Sequence, residues 1–452
     1  MIKPFRHVIS ALCAICLSAQ PAYALPLIRD AEIEYTLRNY GDPLFKAAGL
    51  KPSAVKIFIV NGSSLNAFVA GGSNLFLNTG LIMATKDASM LIGVMAHETA
   101  HIAGGHLARG GEKLKDAQLG TIMSMVLGAA AAAATRKPEA AAAVMTGTQS
   151  SLMRNFLAYT RTQEEAADQA ALTYLDKTNT SASGLLDTFA LLQRNERMHI
   201  SAPDPYLRSH PLSSSRIEHV RNHVQQSNIP EGKYPSRYKA MHDRMVAKLY
   251  GFMETPERTM RKYPLASKDA ASRMARAIAY YKMPDTDRAL IEMDSLIKDW
   301  PNDPFFHELK GQILFESGRV EDALTSYLKA NQLLPKSPII LTELAKVELA
   351  QKPERLQSAV GHLQKANSID NSNPYAWRLL ATAYGKAGNM GQSHLALAEE
   401  ALLYNKPDDG FTQASRALGL LKQGSPAHQR AQDVKTQAVE MKRIKKEMES
   451  TF

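Results

Sequence analysis

The alternation of hydrophobic and polar residues changes character a little past the middle of this chain of 452 residues. From residue 25 to about residue 250, apolar positions at helical spacing are mixed with short β-like runs at 55–60 and 75–78. Beyond about residue 270, every apolar pattern has the period of an amphipathic α-helix. The pattern predicts a mainly α-helical protein with a small β-sheet, in which a mixed first half precedes an all-helical second half.

The helical half repeats itself at close to 34 residues, in units that start near residues 270, 304, 338 and 374. Small residues and prolines recur at corresponding positions of these units. In the clearest unit they are Pro304, Gly311, Gly318, Ala323, Tyr327, Ala330 and Pro335. Small side chains let paired helices and neighbouring units approach closely, so the spacing predicts a tetratricopeptide solenoid rather than a non-repeating helical bundle.

The first 24 residues have the pattern of an export signal. Lys3 and Arg6 precede an apolar run, and residues 22–24 (Ala-Tyr-Ala) are suited to cleavage before Leu25. An uncleaved N-terminal anchor is the alternative. We therefore predict five parts: a signal peptide at 1–24, a mixed α/β domain at 25–250, a linker at 251–269, tetratricopeptide repeats at 270–425 and a C-terminal helix at 426–452.

Composition excludes several classes of function. Both cysteines, Cys13 and Cys16, fall in the predicted signal peptide, so we expect no disulfide or thiol chemistry in the mature protein. The formal net charge is +10, but the basic residues are scattered rather than interleaved with aromatic ones, so we expect no nucleic-acid binding. Weak contact with an anionic membrane surface stays open. Alanine-rich runs at 120–135 and 140–144 predict a helical hairpin that is either a core element or lid, or a membrane-dipping loop.

The strongest chemical signal is the segment 97–101, His-Glu-Thr-Ala-His, which follows an apolar helical run. Residues four apart on a helix lie about 40° apart around its axis, so His97 and His101 point at one spot. Glu98 lies beside them, where its carboxylate reaches a water rather than the metal. Imidazole ligands with an open position suit catalytic Zn²⁺, and we expect one zinc ion per chain.

Spacing alone does not select the third metal ligand. His106 falls one residue away from the position of the third histidine in the long metzincin motif, and such a shift turns a helical side chain by about 100°, which makes it a poor ligand candidate. The segment 161–168 is the better source, because it predicts a helix with Glu164 and Asp168 on one face and Glu165 beside them.

Four segments together resemble the M48 family of metallopeptidases, in the periplasmic form with a C-terminal tetratricopeptide region. They are residues 66–72, 97–101, 164–168 and 209–217, and the resemblance extends over most of the mature chain. The fold expected from it is a gluzincin-type metallopeptidase domain followed by an all-α solenoid. Ala70 stands where the family commonly has proline, which affects the rigidity of a turn and leaves the expected chemistry unchanged.

The resemblance also implies roles for single residues. Glu164 is then the third zinc ligand, Asp168 accepts a hydrogen bond from a ligand histidine, and Arg216 supports the site. His210 is expected over the open zinc position, where it either keeps the enzyme latent or stabilises the transition state. Glu98 and His210 are thus the expected catalytic residues.

The expected function is a periplasmic zinc endopeptidase that hydrolyses unfolded or stalled outer-membrane proteins and whose repeats bind the outer-membrane assembly machinery. Segment 75–78 is expected to pair with the substrate backbone as an added strand. The alternative is a tetratricopeptide chaperone or assembly scaffold, in which peptidase activity is secondary or latent.

Overall fold

The computed structural model of the full chain describes residues 26–106, 160–198, 206, 209–351 and 355–450. The predicted signal peptide and the predicted alanine-rich hairpin lie outside these ranges. Within them the protein is mainly α-helical with one small sheet, as predicted. No helix in the described part of the chain has both the length and the apolar character needed to cross a membrane.

The sheet has four strands: β1 (Leu27–Ile28), β2 (Lys56–Val60), β3 (Ala67–Ala70) and β4 (Asn74–Asn78). Their order is β1-β2-β4-β3, in which β2 and β4 are parallel and the two outer pairs are antiparallel. The expectation that segment 75–78 receives the substrate backbone is wrong, because β4 already pairs with a strand on each side. In the described part of the sheet, β3 is the edge strand on that side.

In the described part of the first half, the sheet is accompanied by seven α-helices. They are α1 (Ala31–Ala47), α2 (Thr79–Ala84), α3 (Ala88–Ala103), α4 (160–177), α5 (Ser183–Met198), α6 (Ser214–Gln226) and α7 (Arg237–Met253). Helix α3 begins at Asp87, whose side chain accepts a hydrogen bond from the backbone of Ser89. It is buried from Ala88 to His101 and packs against α1, α5 and β3.

Helices α3 and α5 approach so closely that their contact requires glycine. A Cβ atom on Gly93 would lie 2.8 Å from the backbone nitrogen of Leu185, and one on Gly184 would lie 2.2 Å from the carbonyl carbon of Ser89. Larger residues would push the two helices apart. Because α3 carries the two predicted histidine ligands, this contact fixes their position in the core.

The second half consists of helix pairs with the predicted repeat. After α8 (Pro256–Lys262) follow α9 (Ala270–Lys282), α10 (Thr286–Asp299), α11 (Pro304–Glu316), α12 (Val320–Leu333), α13 (Pro338–Ala350), α14 (Leu356–Ile369), α15 (Pro374–Lys386), α16 (Met390–Leu403), α17 (Pro407–Leu420) and α18 (Pro426–Ser450). Pro304, Pro338 and Pro374 each occupy the first turn of a helix, where a missing N–H costs nothing, and the preceding residue caps it. The predicted solenoid architecture is confirmed.

Helix α7 connects the two halves. Met245 and Leu249 pack into the core of the first half, whereas Ala247 belongs to the first core of the repeats. On the same helix, Arg244 and Lys248 make ion pairs with carboxylates from both halves. We call this group the interface cluster; its members are Asp30, Glu32, Arg244, Lys248, Asp303 and Glu308.

Candidate metal centre

Helix α3 brings two imidazoles together inside the protein. His97 is fully buried and His101 is 7% exposed, and their Nε2 atoms lie 3.1 Å apart. Both rings leave the helix on one face because the residues are four apart, as the sequence predicted. Two Nε2 lone pairs therefore converge on one point.

Helix α4 supplies a carboxylate to the same point. Glu164 Oε2 lies 3.3 Å from His97 Nε2, and Glu164 Oε1 lies 3.3 Å from His101 Nε2. The neighbouring Glu165 is exposed, so only one of the two adjacent glutamates faces the histidines. Spacing alone did not decide between them, whereas the resemblance selected Glu164.

His210 comes from the segment before α6 and completes the group. Its Nδ1 lies 3.1 Å from both carboxylate oxygens of Glu164 and 3.4 Å from His97 Nε2. One ligand atom from each of His97, His101, Glu164 and His210 lies within 4.8 Å of the others. We call these four residues the histidine–carboxylate cluster.

Asp168 and Arg216 hold this cluster in place. Asp168 Oδ1 lies 2.9 Å from His97 Nδ1, on the ring edge away from the cluster. Arg216 donates to Asp168 through Nε at 2.6 Å and pairs with Glu164 through Nη1 at 2.9 Å. One guanidinium thus orients both carboxylates, which is the supporting position expected for it.

Two further residues touch the cluster that sequence reasoning did not place there. His106 Nδ1 lies 2.9 Å from His101 Nδ1, so His101 has a partner on its outer edge just as His97 has Asp168. Tyr206 accepts a hydrogen bond from the backbone N–H of His210 at 2.7 Å, and the two ring centroids lie 4.6 Å apart. The structure thus places His106 against His101 rather than among the four clustered ligand atoms. The position of His106 next to the motif was the available sequence signal for this contact, whereas Tyr206 offered none.

Gly104 makes the contact of His106 possible. A Cβ atom at this position would lie 2.5 Å from His106 Nε2, so any larger residue would displace the imidazole. The glycine is therefore required for space, and the turn after α3 folds back so that His106 can reach His101.

Glu98 is fully buried, yet neither carboxylate oxygen has a hydrogen-bond partner among the described residues. Glu98 Oε1 lies 3.5 Å from His210 Nε2. A buried carboxylate without hydrogen bonds costs on the order of several kcal/mol, so it is retained where it has a task. A general base that takes a proton from a reacting water needs a carboxylate that is not already occupied by other hydrogen bonds.

The electrostatics also fit a divalent cation. Glu98, Glu164 and Asp168 oppose one guanidinium, that of Arg216, so with neutral imidazoles the site carries a formal charge of −2. A divalent ion neutralises that charge, and two imidazoles with a carboxylate are a donor set that zinc accepts. The residues present fit a bound metal.

The pKa values follow the same contacts. Burial opposes the charged form of His97, but its hydrogen bonds to Asp168 and Glu164 raise its pKa to about 10. Despite burial, contacts with the histidines lower the pKa of Glu164, and His97 and Arg216 lower that of Asp168. Burial lowers the pKa of His101. Glu164 and Asp168 therefore stay ionised at neutral pH, whereas His97 holds a proton that a bound cation would replace.

Comparison with known proteins agrees with this chemistry. The model of the family described as Peptidase family M48 matches residues 32–224, which include all four residues of the histidine–carboxylate cluster. A curated relative from Vibrio cholerae is 26% identical over 405 residues, covering 87% of this chain and 82% of the relative. The beta-barrel assembly-enhancing protease of Escherichia coli K12 is 25% identical over 415 residues, covering 88% of this chain and 82% of the relative.

Among solved structures, a crystal structure of MamA is 18% identical and covers 38% of this chain and 96% of its own, with a TM-score of 0.29. The assignment to a peptidase family rests on the domain match and on the relatives named as proteases. The chain therefore carries a metallopeptidase domain of family M48, in a protein that resembles the beta-barrel assembly-enhancing proteases over most of its length.

Proposed function

We propose that the protein is an exported zinc-dependent endopeptidase, in which His97, His101 and Glu164 hold the metal. The observation that carries the proposal is the buried carboxylate of Glu98, which has no hydrogen-bond partner among the described residues, close to three converging ligand atoms. A bound zinc ion supplies Lewis acidity, which polarises the scissile carbonyl and makes a water molecule more acidic.

Glu98 acts as the general base and then as the general acid. Its carboxylate takes a proton from the attacking water and later delivers that proton to the leaving amine. Asp168 accepts the Nδ1–H of His97, which fixes the tautomer that leaves Nε2 free for the metal. Arg216 keeps Asp168 and Glu164 ionised and in place through its two ion pairs.

The substrate backbone pairs with β3 as an added strand. This edge strand packs against α3, the helix that carries Glu98 and the two ligand histidines, which supports the binding of an extended substrate segment close to them. Main-chain hydrogen bonds depend little on the side chains of the substrate, which suits unfolded substrates of varied sequence. We therefore assign to β3 the pairing with substrate that was first expected of segment 75–78, which lies in β4.

His210 keeps the resting enzyme latent. Its Nδ1 already lies among the ligand atoms of the cluster, which supports a role as a fourth metal ligand that excludes substrate. We expect His210→Ala to raise the cleavage of unfolded casein if latency dominates. A lower rate with an unchanged zinc content would instead favour the alternative role, donation to the transition state.

We place the protein in the periplasm, with unfolded or stalled outer-membrane proteins as substrates and the outer-membrane assembly machinery as a partner of the repeats. This proposal is supported by the signal-like N-terminus and by relatives named beta-barrel assembly-enhancing proteases. The long solenoid favours a second candidate function, that of a chaperone or scaffold, because stacked helix pairs present extended binding surfaces.

The substitution Glu98→Gln tests the enzymatic proposal. It keeps the size and removes the base, so we expect casein cleavage to fall on the order of 10²- to 10⁴-fold while zinc content and the circular dichroism spectrum stay unchanged. The matched control is Glu165→Gln, an exposed glutamate on α4. Full activity of Glu98→Gln contradicts the mechanism. Rescue of outer-membrane assembly by Glu98→Gln as good as by wild type would favour the scaffold.

A further inference from the structure

Three phenylalanine rings form a ladder across the sheet. Phe58 of β2 pairs with Phe76 of β4, which in turn pairs with Phe68 of β3. The ring centroids of Phe58 and Phe76 lie 5.0 Å apart with an angle of 18° between the ring planes, and those of Phe76 and Phe68 lie 4.8 Å apart with an angle of 7°. The rings are stacked in one row that runs perpendicular to the strands.

The ladder lies on the face of the sheet opposite the core. Ala67, Leu75 and Leu77 alternate with the ladder residues and are fully buried in the core of the first half. The three phenylalanines are only half-buried and do not belong to that core. The stacked rings stabilise the pairing of the three strands and also present an apolar row on the outward face of the sheet.

The row ends at the strand that we propose as the substrate-binding edge. In the described sheet, β3 has β4 on one side and no strand on the other. Side chains of an added strand alternate between the two faces, and residues directly opposite each other have Cβ atoms about 4.5–5.5 Å apart. The substrate residue opposite Phe68 therefore lies on the ladder face, next to its ring.

We infer that Phe68 selects substrates that place an aromatic residue opposite it, so that the substrate adds a fourth ring to the ladder. This inference rests on the proposed addition of the substrate to β3. Stacked aromatic pairs across strands are favourable beyond the burial of their area, and a charged residue at the same point would lose its hydration against the ring. The substrate class is an extended segment in which an aromatic residue lies on one face of the strand.

Cleavage of matched peptides tests the inference. Each fluorogenic peptide is identical except at one position, which carries Phe, Ala or Glu, and that position is moved along the peptide. At one register we expect the wild type to cleave the Phe peptide roughly three- to tenfold faster, in kcat/KM, than the Ala peptide, and the Glu peptide most slowly. In Phe68→Ala, the Phe and Ala peptides should be cleaved within twofold of each other.

Phe58→Ala is the matched control, because Phe58 belongs to the same ladder but is separated from the added strand by β4 and β3. We expect it to keep the preference for Phe. A wild-type enzyme that cleaves all peptides equally, or a preference that survives in Phe68→Ala, would overturn the inference while leaving the proposed peptidase intact.

Binding of the same peptides to Glu98→Gln, followed by fluorescence anisotropy, separates this inference from the catalytic proposal. The order Phe before Ala before Glu in binding, lost when Phe68→Ala is added, supports the inference even where turnover is absent. Equal binding of all three peptides overturns it. No cleavage of any peptide by zinc-loaded wild type and His210→Ala protein would contradict the proposed function instead.

Discussion

The candidate metal centre and the interface cluster are both buried groups of charged side chains with the same formal imbalance. The metal centre sets three carboxylates against one guanidinium, and the interface cluster sets four carboxylates against Arg244 and Lys248. Each therefore carries a formal excess of two negative charges. The difference between them lies in what faces the carboxylates.

In the metal centre, hydrogen-bond donors face the carboxylates, and the ligand atoms of four residues converge on a point that suits a cation. Hydrogen bonds from histidines and Arg216 lower the pKa values of Glu164 and Asp168 despite burial. In the interface cluster, burial dominates and raises the pKa values of Glu32 and Glu308, although Arg244 and Lys248 oppose it. Glu164 and Asp168 therefore stay ionised to lower pH than usual, whereas Glu32 and Glu308 hold their protons to higher pH than usual.

The largest effect is expected from Lys248→Met, which removes the central cation of the interface cluster. Lys248 is fully buried and contacts Asp30 at 2.9 Å and Glu308 at 3.2 Å, so its loss leaves buried carboxylates uncompensated. We expect the free energy of unfolding in urea to fall by about 3–5 kcal/mol. Lys239→Met, on the same helix but exposed, is the control and should change it by less than about 1 kcal/mol.

If Lys248→Met were as stable as the control, the interface cluster would not hold the two halves together. Its charges would then have no structural role to set against that of the metal centre. Zinc content should be unchanged in the folded fraction, because the interface cluster shares no residue with the histidine–carboxylate cluster. This separates loss of stability from loss of the metal.

The second effect concerns the metal centre. We predict that His106 is a positioning residue, which holds the tautomer of His101 through the 2.9 Å contact between their Nδ1 atoms. His106→Leu should weaken zinc binding by about 10- to 100-fold, the usual effect of losing such a partner. His106→Gln keeps a hydrogen-bonding group and should recover part of that affinity. The measurement is competition with a chromophoric zinc chelator.

Equal zinc affinity in His106→Leu and wild type would contradict this role. A purely structural role would lower the affinity equally in the Leu and Gln variants, so the difference between them decides. Gly104→Ala should resemble His106→Leu, since the added methyl group displaces the imidazole.

The parts that sequence could predict are the local ones. The pairing of His97 with His101 follows from their spacing on one helix, and the solenoid follows from a period repeated four times. Glu164 needed the resemblance, because its neighbour Glu165 fits a helix equally well and only the packing of α4 against α3 orients one of them inward. The domain boundaries remain predictions.

The contacts that sequence could not predict join distant segments without a periodic signal. Asp30, Lys248 and Glu308 meet although 278 residues separate the first from the last. The strand order β1-β2-β4-β3 likewise depends on which strands pair, and for this reason the sequence did not reveal that segment 75–78 is an inner strand. Such contacts are decided by the packing of whole elements rather than by local preference.

The smallest effect should appear on changing pH. The pKa shifts have opposite signs in the two regions, because the pKa values of Glu164 and Asp168 are lowered whereas that of Glu308 is raised. Burial raises the pKa of Glu308 to about 7, with Lys248 opposing and Asp30 and Glu32 adding to the rise; Tyr327 is its other ionisable neighbour. A raised pKa means that the folded state holds the proton more tightly, so its contribution to stability is complete below the ordinary pKa near 4.5 and is lost as pH rises through about 7. We expect wild-type protein to lose about 1–2 kcal/mol between pH 5.5 and 8 from this group, measured as the shift in the urea midpoint, and Glu308→Gln to lose less. An identical pH dependence in the two proteins would show that Glu308 is ionised throughout, and the two clusters would then differ in position but not in their response to protons.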